Sequence, residues 1–177
     1  FLCFGAVDYR ADVYVNGVRV GGHQGGYSYF ELDVTAVWQA GDNLVEVRAE
    51  DYRRETQTYG KQGYGEIQGI WQTVWLENRP QAYISDFRFV TRISGDVKLT
   101  VSAESAEGAT ACAHFDGQTW QAKVEGGKAE INMHFDEPRL WSPDEPNLYE
   151  GRITLEKDGE TDEVCTYFGI REISSGK

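Results

Sequence analysis

Pairs of turn-forming residues between short alternating segments are the feature that most limits how this chain folds. A two-residue hairpin turn needs positive φ at both central positions, which asparagine, aspartate and glycine tolerate. Such pairs stand at Asn16-Gly17, Asp116-Gly117, Gly126-Gly127 and Asp158-Gly159. Short strands joined by turns of this kind are typical of β-sandwiches. We therefore expect an all-β chain that needs no helix of any length.

Alternating apolar residues flank these turns and predict the strands themselves. Ala11, Val13 and Val15 share one face of the first hairpin, as do Val97, Leu99 and Val101 of a later strand. Four glycines between 21 and 26 predict a loop, and a strand-like pattern follows them, so we expect a turn there and not a phosphate-binding loop. Asp33 or Thr35 is placed to cap a single helical turn that ends near Trp38.

The segment from Gly69 to Glu77 has the highest density of large apolar residues. On an extended strand, Ile70, Gln72, Val74 and Leu76 would lie on one side and Trp71, Thr73 and Trp75 on the other. Because both sides carry large apolar groups, we expect a central strand that is covered on both faces, with its two tryptophans in a core.

The three cysteines, Cys3, Cys112 and Cys165, show no metal-ligand spacing and lie in apolar strand patterns. We expect all three to be reduced core residues. A disulfide between Cys112 and Cys165 is the alternative.

The charge of the chain argues against two classes of partner. With 29 acidic and 17 basic residues, the net charge is −12, which disfavours nucleic acid and anionic membrane surfaces. No apolar run approaches the length of a membrane span.

His23, His114 and His134 are isolated and no calcium-binding spacing occurs, so we predict neither metal nor cofactor. We expect His23 to hydrogen-bond a backbone group.

A long polar segment, from Glu50 to Gln68, interrupts the strand pattern. It combines tyrosines, basic residues and amides, a mixture suited to stacking on a sugar and hydrogen-bonding its hydroxyls. The candidate contact residues are Tyr59, Lys61, Gln62 and Glu66. A solvated connection is the alternative. We expect this segment to be the most mobile part of the first domain.

Four stretches of the chain resemble glycoside hydrolase family 2, which contains β-galactosidases, β-glucuronidases and β-mannosidases. They occur in the family's order and are, as written here, Asp8 to Gly17, His23 to Tyr27 with Phe30, Gly69 to Glu77, and Leu140 to Tyr149 with Phe168-Gly169-Ile170-Arg171. The resemblance implies a truncated jelly-roll (galactose-binding-like) β-sandwich over residues 1–79, with its N-terminal strands missing. An immunoglobulin-like β-sandwich over residues 82–174 follows.

The same resemblance bears on catalysis. Retaining hydrolysis uses two carboxylic acids about 5 Å apart, and in this family both are glutamates of a (β/α)8 barrel that begins after the Phe-Gly-Ile-Arg strand. The Asn-Glu pair that carries the acid/base glutamate is absent from the sequence, so we assign no catalytic residue. Gly60-Lys61-Gln62 matches the family's rim loop, which touches the terminal sugar. The residues after it, Tyr64 to Gly69, depart from the family's pattern.

Two functional hypotheses follow. In the first, the chain is the non-catalytic front part of a family 2 β-glycosidase. It supports and rims the active site of an absent barrel, and carbohydrate is the partner of the full-length protein. In the second, it is a free-standing carbohydrate-binding or adhesion module. Because Phe1 enters a strand pattern directly, we expect strands to precede it and the first domain to associate with itself through an open edge.

Overall fold

The computed structural model describes residues 1–51 and 68–173. The chain divides into two compact units, Phe1–Asn78 and Arg79–Lys177. The described residues form fifteen β-strands and contain no helix. The prediction of an all-β chain is therefore confirmed.

Unit 1 contains eight short strands in its described part. They are β1 (Leu2–Phe4), β2 (Val7–Asp8), β3 (Arg10–Val15), β4 (Val18–Gln24), β5 (Phe30–Leu32), β6 (Val45–Glu50), β7 (Gly69–Ile70) and β8 (Val74–Leu76). Two three-stranded sheets have the orders β5-β1-β8 and β4-β3-β6, and β2 pairs with β7. All of these pairings are antiparallel.

The core of unit 1 is apolar and lies against β1 and β3. Alternate residues of β3 are buried, as the period of two predicts. On β1, the Phe4 ring stacks on the Phe30 ring at 4.7 Å between centroids. The buried members of the cluster are Leu2, Phe4, Val7, Ala11, Val13, Val15, Phe30 and Val34.

The β3–β4 hairpin has the predicted turn. Asn16 and Gly17 have φ values of 52° and 80°, as a type I′ turn requires. The Asn16 side chain also ties this turn to a distant loop. Its Nδ2 donates to the Val37 carbonyl at 3.0 Å and to Asn43 Oδ1 at 2.8 Å, and its Oδ1 accepts from the Leu44 amide at 2.9 Å.

A single helical turn follows β5, also as predicted. The Asp33 carboxylate accepts from the Thr35 amide at 2.9 Å, and the Trp38 amide donates to the Val34 carbonyl at 2.9 Å. Asp33 is therefore the capping residue.

The prediction of a loop over the glycine cluster is wrong for residues 21–24. These residues belong to β4, which continues to Gln24 before the chain turns at Gly25. Close packing explains two of the glycines. A Cβ on Gly22 would lie 2.5 Å from the Ala11 carbonyl oxygen, and one on Gly21 would lie 2.5 Å from a Leu32 methyl group.

The prediction of one central strand from Gly69 to Glu77 is also wrong. The segment forms two short strands, β7 and β8, and β8 has β1 as its single strand neighbour within the described chain. Val74 and Leu76 are 38% and 49% exposed. The sequence pattern shows that both sides of the segment carry large apolar residues. It does not show whether a neighbouring strand covers them.

Unit 2 contains seven longer strands. They are β9 (Tyr83–Thr91), β10 (Asp96–Glu104), β11 (Thr110–Phe115), β12 (Gln118–Lys123), β13 (Lys128–His134), β14 (Tyr149–Lys157) and β15 (Glu160–Phe168). They form two sheets with the orders β13-β10-β9 and β12-β11-β14-β15. At the predicted turns, Asp116-Gly117, Gly126-Gly127 and Asp158-Gly159 all have positive φ.

The core of unit 2 fills the space between its two sheets. Val97, Leu99 and Val101 are at most 2% exposed, as their alternation predicts. An aromatic cluster extends this core, in which Phe168 stacks on Tyr149 at 5.2 Å and on Phe89 at 4.6 Å.

The three thiols are reduced. Cys3 and Cys112 are buried, whereas Cys165 is exposed, so the core assignment is wrong for Cys165. Cys112 and Cys165 lie on β11 and β15, which flank β14 on opposite sides. A disulfide between them is therefore excluded, because two strand spacings separate them by roughly 9 to 10 Å.

Two other kinds of feature are absent from the described residues. They contain no helix with the length and apolar character of a membrane span. Across 1–51 and 68–173, no three side chains of histidine, cysteine, aspartate or glutamate are grouped so that they could hold a metal ion.

Candidate functional site

The predicted contact residues Tyr59, Lys61, Gln62 and Glu66 lie outside the described residues. Their segment leaves the described chain after Asp51 and re-enters it at Gln68. Asp51 and Gln68 both belong to unit 1.

Three parts of unit 1 meet near these ends. Asp8 of β2 pairs with Gly69 of β7, and the turn after β4 brings Gly26 against Asp8. A Cβ on Gly26 would lie 2.4 Å from Asp8 Oδ1, so any other residue at position 26 would displace the carboxylate. Glycine at position 26 therefore leaves room for the Asp8 carboxylate in its observed place.

An aromatic pair stands beside this contact. The Trp71 indole Nε1 donates to the Gly26 carbonyl at 2.6 Å. The Tyr27 ring packs edge-on against the Trp71 ring, with 5.4 Å between centroids and 67° between planes. Tyr27 is 84% exposed and Trp71 is 43% exposed. The assignment of Trp71 to the core is therefore wrong, and the pair presents aromatic surface to solvent.

Asp8 supplies the charge of the cluster. Its carboxylate is partly buried, and no donor among residues 1–51 and 68–173 hydrogen-bonds it. Burial, and then the negative charge of Asp51, raise the pKa of Asp8 above its ordinary value. A hydrogen-bond donor to this carboxylate would lower its pKa and so oppose that shift.

Backbone and side-chain contacts hold the surrounding segments in register. The Gly25 amide donates to the Tyr9 carbonyl at 2.8 Å, and Gln24 Nε2 donates to the Tyr9 hydroxyl at 3.1 Å. The Tyr9 amide donates to the Glu50 carbonyl at 3.3 Å. The peptide bond between Asp8 and Tyr9 is cis. The turn that carries Tyr27 is thus tied to Tyr9, and Tyr9 in turn is tied to the end of β6.

The segment around Gly26 carries two kinds of group that proteins use against hydroxylated ligands. An aromatic face packs on apolar C–H groups, and a carboxylate accepts hydrogen bonds from hydroxyls. We define Asp8, Tyr27 and Trp71 as the Asp8 cluster. Sequence reasoning missed it because its members come from three separated segments. The available signal was a charged residue directly after the buried pair Ala6-Val7.

The ring of His23 stacks on the ring of Phe30, with 4.5 Å between centroids and 11° between planes. Its buried Nε2 has no hydrogen-bond partner among the described residues. The expectation of a bond to a backbone group is not met at this atom, because the ring packs through its face.

Family models match both units of the chain. The model described as glycosyl hydrolases family 2, sugar binding domain, matches residues 1–80. The model described as glycosyl hydrolases family 2 matches residues 82–171. The second match alone covers more than half of the 177 residues.

Curated relatives agree with these models. The chain is 28% identical, over 96% of its length, to a protein assigned as a β-glucuronidase from Formosa agariphila, and it covers 22% of that protein. It is 29% identical, over 98% of its length, to a β-galactosidase from Thermoanaerobacter pseudethanolicus, and it covers 26% of that protein. The chain thus spans about a quarter of these relatives.

A solved structure extends the comparison to the fold. A crystal structure assigned as a β-galactosidase from Bacteroides fragilis matches with a TM-score of 0.78 and 25% identity. The match covers 99% of this chain and 31% of that one. The resemblance seen in the four sequence stretches is confirmed, and the chain belongs to family 2 of the glycosyl hydrolases.

Proposed function

We propose that this chain is the non-catalytic front part of a retaining exo-β-glycosidase, in which its two units support and rim the active site of a (β/α)8 barrel. The observation that carries the proposal is the extent of the matches. Both family models match in sequence order, yet the chain spans 22% and 26% of two full-length relatives.

The sequence of the chain supports the proposal that these two units are non-catalytic. The sequence lacks the Asn-Glu pair that carries the family's acid/base glutamate. Retaining hydrolysis needs two carboxylic acids at a short separation on either side of the scissile bond. Glu50-Asp51, Asp136-Glu137 and Asp144-Glu145 lie in or next to connections between strands, where charged pairs are usually solvated.

The proposed substrates are β-glycosides, and the relatives' names point to galactosides and glucuronides. In this proposal, Tyr59, Lys61, Gln62 and Glu66 contact the terminal sugar at the rim of the barrel. The partner of the two units is the barrel itself.

Reading the coding sequence past Lys177 tests the proposal directly. We expect a barrel that contains an Asn-Glu pair. In a parallel assay, the chain of residues 1–177 should not hydrolyse nitrophenyl galactoside, glucuronide or mannoside above a buffer control. Turnover that disappears on mutation of a residue in this chain would contradict the proposal.

A free-standing carbohydrate-binding module is the second candidate, and the exposed Tyr27–Trp71 pair favours it. The two functions differ in affinity. A partial rim leaves most sugar hydroxyls in water, so the first function gives weak binding. Calorimetry that shows micromolar affinity for a monosaccharide would favour the module.

A further inference from the structure

The outer edge of β9 in unit 2 has backbone groups that no other strand uses. The Arg92 amide donates to the Asp96 carbonyl of β10 at 2.8 Å. Hydrogen bonds alternate along an antiparallel pair, so the N–H and C=O groups of Phe87 and Phe89 point away from β10. In the described chain, β10 is the single strand neighbour of β9. Within residues 1–51 and 68–173, Phe89 therefore presents a free donor and a free acceptor, the groups that an added strand binds.

Side chains cover both ends of this edge and leave its centre open. At one end, the Asp162 carboxylate accepts from the Ile84 amide at 2.8 Å. At the other end, Thr91 Oγ1 donates to the Arg171 carbonyl at 2.7 Å. Beside Phe89, residues of β9, of the end of β15 and of the segment after it line a cavity of about 550 Å³. This is a usual size for a ligand site.

The cavity is positively charged, although the chain as a whole has a net charge of −12. Its charged residues are Arg88, Arg92, Arg171 and Glu172. Glu172 is paired with Arg92. Arg88 forms no ion pair or hydrogen bond within the part of the chain that the structure describes. The cavity thus contains more guanidinium groups than its single carboxylate can neutralise.

Arg171 is held in place by an aromatic ring and not by an acid. Its guanidinium lies over the Trp141 ring, 5.0 Å from the centroid. The N–H donors of a guanidinium lie in its plane, so stacking on the ring face leaves them available to an anion.

The exposed face of β9 sets the spacing of a matching ligand. Arg88, Val90 and Arg92 alternate along one face of the strand, and Val90 is 44% exposed. A paired strand places its own residues directly opposite these three. A ligand with an acidic residue, an apolar residue two positions on and a second acidic residue two further matches them in charge and polarity.

We propose that the open edge of β9 binds an extended acidic peptide segment of a partner protein, in antiparallel orientation. The main chain of the peptide pairs with Phe89, and its apolar residue packs on Val90. One carboxylate lies at Arg88 and the other at Arg92 and Arg171. Because the acidic chain repels anions as a whole, the attraction is confined to this cavity. The site is separate from the proposed glycosidase function, in which none of these residues contacts a sugar.

Amide chemical shifts from NMR on the isotope-labelled chain of residues 1–177 test this proposal. The probe is acetyl-Glu-Thr-Val-Thr-Glu-amide, whose threonine N–H groups face β9 when its valine lies opposite Val90. We expect a shift of the Phe89 amide, with a dissociation constant on the order of 1 mM. The same peptide with both threonine nitrogens methylated keeps its charge but lacks those donors, so it should bind about tenfold more weakly.

Charge exchange tests the register. In the antiparallel orientation, the last glutamate of the peptide lies opposite Arg88. Arg88→Glu should weaken binding about tenfold, because it replaces attraction by repulsion. The peptide acetyl-Glu-Thr-Val-Thr-Lys-amide should restore binding to this variant. Arg152→Glu makes the same exchange on β14, in the other sheet of unit 2, and should leave both affinities unchanged. The dispersion of the amide shifts shows that each variant is folded.

Each outcome decides the proposal. Shifts centred on Phe89 that respond to methylation and to the charge exchange support the site. An unshifted Phe89 amide, equal binding of the methylated peptide, equal loss in Arg152→Glu, or no recovery with the lysine peptide overturns it. Glutarate that shifts the Phe89 amide as strongly as the peptide does also overturns it, because the site then binds simple anions. Shifts that grow with protein concentration alone overturn it too, because a second copy then occupies the edge.

Discussion

Arg92 and Glu172, 80 residues apart in sequence, form a charged hydrogen bond of 2.6 Å between Arg92 Nη1 and Glu172 Oε1. The neighbouring residues add to this contact, because Thr91 Oγ1 donates to the Arg171 carbonyl at 2.7 Å. The segment that follows β15 is thereby fixed against the end of β9. On its other side, the Trp141 amide donates to the Ile170 carbonyl at 2.8 Å.

The Arg92–Glu172 pair predicts a pH dependence. The hydrogen bond from Arg92 is the main cause that lowers the pKa of Glu172 from its ordinary value. The pair therefore stabilises the fold above the ordinary glutamate pKa, and this contribution is lost as the pH falls through the lowered value. A carboxyl-carbon NMR titration should show Glu172 with a low midpoint. Arg92→Gln should raise that midpoint toward the ordinary value, while the hydrogen bond from the Ile93 amide remains.

Arg152→Gln is the matched control for this titration. Arg152 pairs with Glu163 at 3.3 Å elsewhere in unit 2, so its loss should leave the midpoint of Glu172 unchanged. An ordinary Glu172 midpoint in the unmodified chain would contradict the prediction.

Truncation of a central core residue should destabilise unit 2. Leu99 is fully buried on β10, so Leu99→Ala should lower the free energy of unfolding by about 3 kcal/mol. Leu148→Ala removes a leucine that is 38% exposed and should cost less than about 1 kcal/mol. Urea unfolding measures both, with amide exchange in β10 to identify the unit. Equal losses would show that Leu99 is not well packed.

The Asn16 side chain should stabilise the fold by more than its turn conformation alone provides. Asn16→Ala removes a residue with φ of 52° and three side-chain hydrogen bonds, so we expect a loss of about 2 to 4 kcal/mol. Asp158 has a similar φ of 51° and makes no side-chain hydrogen bond within the described chain. Thermal unfolding of Asp158→Ala should show a loss nearer 1 kcal/mol. Similar losses for both variants would rule out a stabilising role for the Asn16 tether.

The outer edge of β6 should allow self-association of unit 1. The Asn16 amide donates to the Leu44 carbonyl, so alternation directs the backbone groups of Val45, Val47 and Ala49 away from β3. In the described chain, β3 is the single strand neighbour of β6. A second copy that pairs antiparallel about Val47 places Glu46 opposite Arg48 of the other copy.

A charge exchange tests this register by light scattering. Arg48→Glu should reduce association because it places two glutamates opposite each other, and Glu46→Arg added to it should restore association. A chain that stays monomeric at all concentrations, or a double variant that fails to recover, would count against the prediction.

Local chemistry explains which parts of the fold were predictable. A type I′ turn depends on two adjacent residues, so Asn16-Gly17 was sufficient to predict it. The exposure of Val74 depends on strands that are distant in sequence, and no pattern within residues 69–77 reports them. The Asp8 cluster was hidden for the same reason, since β2, the turn after β4 and Trp71 meet only in the folded unit.

The unequal burial of the three thiols has a practical consequence. Burial raises the pKa of the Cys112 thiol, and Cys3 is fully enclosed, whereas Cys165 is open to solvent opposite Arg152 on β14. A maleimide dye should therefore react with Cys165 well before the other two. The natural chain thus carries its own attachment point on unit 2, and a fluorophore placed there can follow any partner that docks on that sheet without a single engineered cysteine.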